Sequence, residues 1–319
     1  MGQTVAIMNT KGGVGKSTIV LALAETLSLE HGKNVLVIDS DAQASVSHML
    51  MTAKTLTDLQ QQGLTIVDYL VATVLEDKSL RWQDFVVGGV SDVDDARSVY
   101  LIASDMQLTL FEREVSKGSH HTKLRRTISA LLDEIRPVFD VVLIDCPPGL
   151  SVLTESWLRE ADFHITPTKA DFISTCGLDV FRRFKMLNPE MGFAHNLGVV
   201  VNMKDKFSLS EEEEHRRLLA DPEHSCFAQS IPRVHALQHA AYYMAGTRSY
   251  AAKYPGEAGQ SIRALVAEVL VRMEAAAPAR AAAKAATRTV SPSPPAGEAK
   301  PSTAPVPDEA ATAKPAVAG

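Results

Sequence analysis

The stretch Lys11-Gly12-Gly13-Val14-Gly15-Lys16-Ser17-Thr18 constrains this chain more than any other, because it follows the apolar run Val5-Ala6-Ile7-Met8 and opens the segment Ile19 to Glu30. Backbone N–H groups converge on an anion only where side chains stay clear, and glycines at 12, 13 and 15 provide that clearance. Ile19, Leu23 and Leu27 recur at helical spacing with Val20 and Ala24 beside them, so the segment is expected to pack one face on a sheet. Its N-terminus then aims free N–H groups and the positive dipole end at the anion. Strand, glycine turn and helix in this order make a phosphate-binding loop. Lys16 is placed to charge-pair the β and γ phosphates, the Ser17 hydroxyl to ligate magnesium, and Thr18 to meet the α phosphate. The usual spacing asks for glycine where Thr10 stands, and a second lysine, Lys11, follows it.

Two further apolar runs end in acids. Val35-Leu36-Val37-Ile38 leads into Asp39-Ser40-Asp41, and Val141-Val142-Leu143-Ile144 into Asp145-Cys146-Pro147-Pro148. Continuous apolar runs suit strands buried on both faces, and the carboxyl ends of such strands are where ligands bind in open α/β sheets. An Asp closing a hydrophobic strand beside the loop-feeding strand holds magnesium, usually through water; the alternative for Asp145 is a cap before the Pro-Pro turn. Further strands are expected at Val99–Ile102, Phe163–Thr166 and Leu197–Val201. Helices are expected over Ile66–Leu75, Leu124–Ile135 and Ile262–Met273, and over a solvated helix opened by Ser210-Glu211-Glu212-Glu213 as a capping box. Residues 45–98 otherwise read as short helices and a connecting loop, polar and turn-rich from Gly88 to Arg97. Strands alternating with helices give an α/β class with a doubly wound, mostly parallel sheet flanked by helices, and the phosphate-binding loop at Lys11–Thr18 makes the expected fold a P-loop NTPase.

Composition bounds the rest. From Ala275 onward the chain is Ala, Pro, Ser and Thr with few charges and no aromatic residue, so it is expected to be disordered. That divides the chain into a domain at 1–274 and a tail at 275–319. No stretch approaches the roughly 20 apolar residues of a spanning helix, and the first strand begins without a signal-type segment, so a cytoplasmic location is expected. Cys146, Cys176 and Cys226 lie far apart with no C-x-x-C pair, which argues for free thiols and against a zinc site or disulfide framework. A net charge of -6 gives no whole-chain case for nucleic acid, leaving that role to a local patch.

Taken together, Lys11–Thr18, Val35–Asp41 and Val141–Pro148 resemble the deviant Walker A ATPases, the ParA/MinD family, and most of all the short ParA (Soj-type) partition proteins, from residue 3 to about residue 270. No N-terminal helix-turn-helix extension precedes the loop, which matches the short type. The resemblance implies ATP and Mg2+ as cofactors, with Gly12, Gly13, Val14, Gly15, Lys16, Ser17 and Thr18 cradling the phosphates. It implies that Lys11 reaches across a homodimer to the partner's ATP, that Asp41 orients the attacking water, and that Asp39 lies near the magnesium shell. Asp145 falls at the Walker B acid, and Asn202 with Ile231-Pro232-Arg233 falls where the family contacts adenine.

A lysine arriving in trans acts on phosphoryl transfer as an arginine finger does. The resemblance also implies ATP-dependent dimerisation, DNA binding without sequence preference, association with the nucleoid, and a ParB-like or cargo adaptor that stimulates hydrolysis and so releases the dimer. The basic candidates for DNA are Arg182, Arg183, Lys185, Arg216, Arg217, Arg233, Arg248, Lys253 and Arg263. Two segments depart from the family: Ala42-Gln43-Ala44 stands for Pro-Gln-Gly, and Thr166-Pro167-Thr168-Lys169 differs from the commoner forms. A MinD-like membrane-positioned ATPase is one alternative, but it needs a basic, bulky C-terminal amphipathic helix and the chain closes on Ala-Lys-Pro-Ala-Val-Ala-Gly with no stable membrane anchor. A metabolic or cluster-handling P-loop relative is the other, and it would need paired cysteines or a metalloid site.

Overall fold

The computed structural model describes residues 2–289, with side chains described as far as residue 279. Among the described residues, β1 (Gln3–Ile7), β2 (Val35–Asp39), β3 (Val87–Gly88), β4 (Val99–Ile102), β5 (Val141–Asp145), β6 (Phe163–Thr168) and β7 (His195–Val201) form one sheet. Their order is β3-β4-β2-β5-β1-β6-β7. Every pairing is parallel except that of the two-residue edge strand β3 with β4. Successive side chains on a strand point to opposite faces. Val5, Ile7, Val35, Val37 and Leu143 therefore enter one core, and Ala6, Met8, Leu36, Ile38, Val142 and Ile144 the other. With both faces covered, the strands read as unbroken apolar runs. Each fully buried Val, Leu or Ile contributes about 1.5–3 kcal/mol.

The helices are α1 (Lys16–His31), α2 (Ser45–Leu50), α3 (Ala53–Gln62), α4 (Ile66–Leu70), α5 (Leu108–Val115), α6 (His121–Ile135), α7 (Val152–Glu160), α8 (Phe172–Leu187), α9 (Leu209–Ala220), α10 (His235–Ala240), α11 (Tyr250–Lys253) and α12 (Glu257–Thr289). Helix α1 departs from the expectation of one buried face, because every residue from Ile19 to Ser28 is buried. The sheet takes one side, and Ile262, Val266 and Val269 of α12 cover another within the same core cluster. The Ile66–Leu75 helix divides into α4 and a π-helical turn at Val71–Leu75, and α5 and β3 fall where the sequence pattern predicts no element. The capping residue of α9 is Ser208 rather than Ser210: its hydroxyl accepts from Glu211 N at 3.3 Å. Asp205 Oδ1 bonds Phe207 N at 2.9 Å and turns the chain just before that cap.

Helix α12 runs to Thr289, so the boundary expected at 274/275 falls within it. Alanine has the highest helix propensity and extending an existing helix requires no new nucleus, which favours helix here without a core and offsets the backbone donor lost at Pro278. Residues 290–319, the remainder of the expected disordered tail, lie outside the described residues. Among the described residues no helix is long and apolar enough to cross a membrane.

Two residues counted as basic surface lie inside the fold. Lys253 is 1% exposed, and its Nζ sits 2.6 Å from Glu25 Oε1 and 2.6 Å from Asp92 Oδ1. Tyr254 donates to Glu25 Oε2 at 2.6 Å, and Arg248 Nη2 lies 2.9 Å from Asp92 Oδ2. Two buried carboxylates hold these two cations in place, which removes Lys253 and Arg248 from any DNA-facing patch. The ion pairs tie α1 to the segments around residues 92 and 248.

Candidate functional site

The loop between β1 and α1 has the left-handed backbone its glycines permit, with φ of +71° at Gly13 and +86° at Gly15. A Cβ added to Gly12 or Gly13 would meet nothing within 4 Å, so these peptides face open space. A Cβ on Gly15 would lie 2.2 Å from Asn202 Nδ2, so Gly15 is required by packing as well as by φ. No side chain caps α1 and no acid occupies its first turn, which leaves its amide donors for an anion. Lys16 is buried at that terminus. Asn9, which sequence reasoning missed, braces the loop from below: its Oδ1 accepts from Lys11 N at 2.9 Å and its Nδ2 donates to Pro167 O at 2.7 Å. Pro167 is tolerated inside the sheet because β1 stops pairing with β6 at Ile165, so no β1 carbonyl needs the missing N–H.

The acids stand on one side of β1. Asp39 and Asp145 are register partners at the tips of β2 and β5, each 0% exposed. Asp39 Oδ2 accepts from Ser47 N at 2.9 Å and Ser47 Oγ at 2.6 Å, and its Oδ1 from Asp41 N at 3.2 Å. Burial pushes the Asp39 carboxyl up to about 6, against the pull of the Ser47 bonds. Burial, and then the charge of Asp39, raises Asp145 well above the carboxylate range; the Ser17 hydroxyl and the Lys16 ammonium oppose this. Neither Asp145 oxygen has a hydrogen bond of sound geometry, although Ser17 lies close enough to favour the ionised form.

A buried carboxylate without donors, beside a hydroxyl at a helix N-terminus, suits a hydrated hard cation. Among the described residues no three His, Cys, Asp or Glu side chains gather into a self-sufficient metal site. Magnesium keeps water and phosphate oxygens as ligands, so it needs few side chains from the protein. Asp41 is partly exposed, and its Oδ1 accepts from Gln43 N at 3.0 Å.

Lys11 points toward α8 of its own chain. Its Nζ donates to Ser174 Oγ at 3.1 Å and lies 3.8 Å from Asp171 Oδ1. Asp171 caps α8 through Ser174 N at 2.8 Å, and Gly177 lets that helix approach Thr10, whose Oγ1 would be 3.3 Å from an added Cβ. Asn202 lies against the loop: its Nδ2 donates to Val14 O at 2.9 Å and its Oδ1 accepts from Met203 N at 2.9 Å. Pro232 bridges to Lys204 beside it. The structure thus gathers Lys11–Thr18, Asp39, Asp41, Asp145, Asn202 and Pro232 at the carboxyl ends of the strands. Ser47, Asp171 and Ser174 join them with no sequence signal beyond helix-capping chemistry.

Most of the remaining basic candidates have acidic partners. Arg182 pairs with Asp179 at 3.2 Å, Arg216 with Glu212 at 3.9 Å, Arg217 with Glu214 at 2.7 Å, Arg233 with Glu211 at 2.9 Å and Arg263 with Glu30 at 2.8 Å. Lys185 lies over the Phe181 ring at 4.9 Å, and Arg183 is exposed. A cleft of about 540 Å³ lies beside the site, lined by Gln43, His48, Met51, Tyr242 and Tyr243, and none of residues 11–18 line it.

Comparison with known proteins agrees with this geometry. The family described as AAA domain matches residues 2–191. The chromosome-partitioning ATPase Soj of Treponema pallidum is 26% identical over 85% of this chain and 98% of its own length. The chromosome partitioning protein ParA of Caulobacter vibrioides is 30% identical over 66% of this chain and 73% of its own length. Among solved structures, apo McdA of Cyanothece superposes with a TM-score of 0.66 at 20% identity, covering 85% of this chain and 100% of that one. Cobyrinic acid a,c-diamide synthase of Mycobacterium smegmatis, with bound ADP and magnesium, gives 0.65 at 21% identity, covering 87% and 97%. These two show the shared fold. With its lysine-bearing glycine loop, its two acid-tipped strands and these sequence matches, the chain belongs to the AAA-domain family and, within it, to the ParA/MinD ATPases close to the Soj-type partition proteins.

Proposed function

We propose that this chain is an ATP-driven partition switch, which binds ATP with Mg2+ on the glycine loop, dimerises around it, holds DNA without sequence preference and lets go on hydrolysis. The observation that carries the reading is the Asp145 carboxylate, buried in front of Ser17 and Lys16 with neither oxygen in a hydrogen bond of sound geometry. Magnesium bound there would neutralise the phosphates and the developing charge. Residues of the chain do the remainder. The loop amides and Lys16 hold the phosphates, Asp41 orients water, and Lys11 leaves Asp171 and Ser174 to meet the partner subunit's nucleotide. The relatives' partition role supports DNA and an adaptor as partners.

Arg183 is exposed and stands apart from the ion pairs described above, and dimerisation brings two copies of such a residue together, which is how a chain of net charge -6 can hold phosphate. The test is retention on DNA and phosphate release with Mg-ATP, comparing wild type with Lys16→Ala and Asp145→Asn. Wild type is expected to hydrolyse ATP and to be retained at low salt only with ATP, and both variants to lose hydrolysis. Retention independent of ATP, or equal for Lys16→Ala, sinks the switch.

A further inference from the structure

The charge run at the start of α9 reads from sequence as solvated, yet the Glu211 side chain is only 17% exposed. Its position follows from the sheet order. The acid-tipped strands β2 and β5 lie on one side of β1, and β6 and β7 on the other. On the nucleotide reading above, a triphosphate with its metal end at Asp145 would extend the rest of the nucleotide over the loop that follows β7, residues 202–206. This loop touches the glycine loop directly, for Asn202 Nδ2 and Met203 Cε would lie 2.2 Å and 3.1 Å from a Cβ on Gly15. Met203 has a φ of +57°, a conformation that a non-glycine residue keeps only when its surroundings hold it.

What holds it is a second loop and one carboxylate. Lys204 N donates to Ile231 O at 2.9 Å, and Arg233 N to Lys204 O at 2.8 Å, zipping residues 202–206 to residues 231–233. The Arg233 guanidinium donates from Nε to Met203 O at 3.1 Å and from Nη2 to Glu211 Oε1 at 2.9 Å. Glu211 Oε2 accepts from Asp205 N at 2.7 Å. Both oxygens of one acid thus take charge-assisted bonds from the two loops that wall this side of the site.

We infer that Glu211 is a positioning residue for nucleotide binding, acting through Arg233 and Asp205 to hold the nucleoside wall against the glycine loop. The inference rests on the nucleotide reading above and deepens it, since it separates affinity for the nucleoside from affinity for the phosphates. Glu211 acts on the wall and not on the phosphate cradle, so its loss should be felt by ATP and not by a ligand made of phosphates alone.

The test is calorimetric titration of the full chain with Mg-ATP and with Mg-tripolyphosphate. Wild type is expected to bind ATP more tightly than tripolyphosphate. Glu211→Ala is expected to weaken ATP about tenfold, a loss of the size of one or two charge-assisted bonds, while tripolyphosphate binding stays within about twofold. Glu211→Gln keeps the side-chain volume but offers one acceptor oxygen in place of two, and should fall between wild type and Glu211→Ala. Combining Glu211→Ala with Arg233→Ala should weaken ATP less than the sum of the two single changes, as partners in one contact do. Unchanged ATP affinity in Glu211→Ala and Glu211→Gln, or equal losses for both ligands, overturns the inference while leaving the phosphate loop in place. Wild type binding neither ligand removes the nucleotide reading itself.

Discussion

Two buried carboxylate clusters flank α1, and they differ in one respect. Around the middle of the helix, Glu25 and Asp92 face Lys253 and Arg248, so acid and base balance, and every carboxylate oxygen has a donor. At the start of the helix, Asp39 and Asp145 face each other across two strand tips, and Asp145 has no hydrogen-bond donor of sound geometry. The carboxylates Glu25, Asp92, Asp39 and Asp145 are all buried. The first is complete within the chain and fixes the position of α1 relative to the segments around 92 and 248. The second sets two buried carboxylates against the single ammonium of Lys16, and leaves Asp145 without a donor of sound geometry. A buried charge that the chain compensates is architecture, and one that it leaves uncompensated marks where a ligand belongs.

The largest expected effect comes from unbalancing the complete cluster. Lys253→Met removes the cation shared by Glu25 and Asp92 and leaves Glu25 with only the Tyr254 and Ser91 hydroxyls. Breaking a buried pair by removing one partner costs about 3–5 kcal/mol, and urea unfolding of wild type against the variant measures it. A loss under about 1 kcal/mol would mean that water reaches the cluster, and the contrast between the two sites would collapse.

The incomplete cluster should respond in the opposite sense, and through pH. Asp39 is raised to about 6 and Asp145 is raised as well, so the folded chain holds protons there that the unfolded chain has released. Stability from these groups is fully present below the unfolded value near 3.8 and is lost as pH rises through about 6. Asp145→Asn removes one of the two charges. In metal-free, nucleotide-free protein it should therefore match wild type near pH 4 and exceed it above pH 6, by about 1–3 kcal/mol, since each tenfold gain in proton affinity on folding is worth about 1.4 kcal/mol. Saturating Mg-ATP should reverse the order, because only wild type binds it fully. Thermal unfolding across the pH range reads both, and a wild type more stable than Asp145→Asn in metal-free buffer at pH 8 would break the comparison.

The incomplete cluster is readable in the sequence and the complete one is not. Asp39 and Asp145 each close a run of apolar residues, and local pattern alone puts them at strand tips beside a glycine loop. Glu25, Asp92 and the pair Arg248 and Lys253 come from three distant segments, with no local pattern that marks them as partners, so Lys253 reads as one more surface lysine. The same limit applies to Glu211, whose partners Asp205 and Arg233 meet only because β7 and the 231–233 turn run side by side. The edge strand β3 escapes sequence reasoning because two residues are too few to show alternation. The expected boundary at 274/275 falls inside α12 because composition reports whether a segment can bury itself and not whether a helix already begun runs on.

A smaller effect tests whether Lys11 belongs to the incomplete site. It is held by Ser174 and, at 3.8 Å, by Asp171, with side chains 38% and 47% exposed, so the contact is weak. Asp171→Ala should free Lys11 for a partner subunit and raise ATP turnover without adaptor by a few-fold at most. Phosphate release at varied protein concentration checks this. Equal turnover at all concentrations would mean that Lys11 acts in its own chain or not at all, and a Lys11→Ala chain that still dimerises and hydrolyses normally would say the same.

The smallest effect concerns strain. Ala44, where the resembling family carries glycine, has a φ of +50° at the start of α2, three residues after Asp41. Met203, at +57°, is its counterpart on the β7 side of the glycine loop, and no residue of the balanced cluster has a positive φ. Left-handed backbone at a non-glycine residue raises the folded state by about 1 kcal/mol, and glycine relieves that but gives up chain entropy on folding. Ala44→Gly should thus stabilise the chain by about 0.5 kcal/mol or slightly more, measured by urea unfolding. If Ala44→Gly instead destabilises, the turn after Asp41 is relaxed as it stands. The uncompensated side would then differ from the compensated one in charge alone, and the left-handed residues beside the glycine loop would be incidental to it.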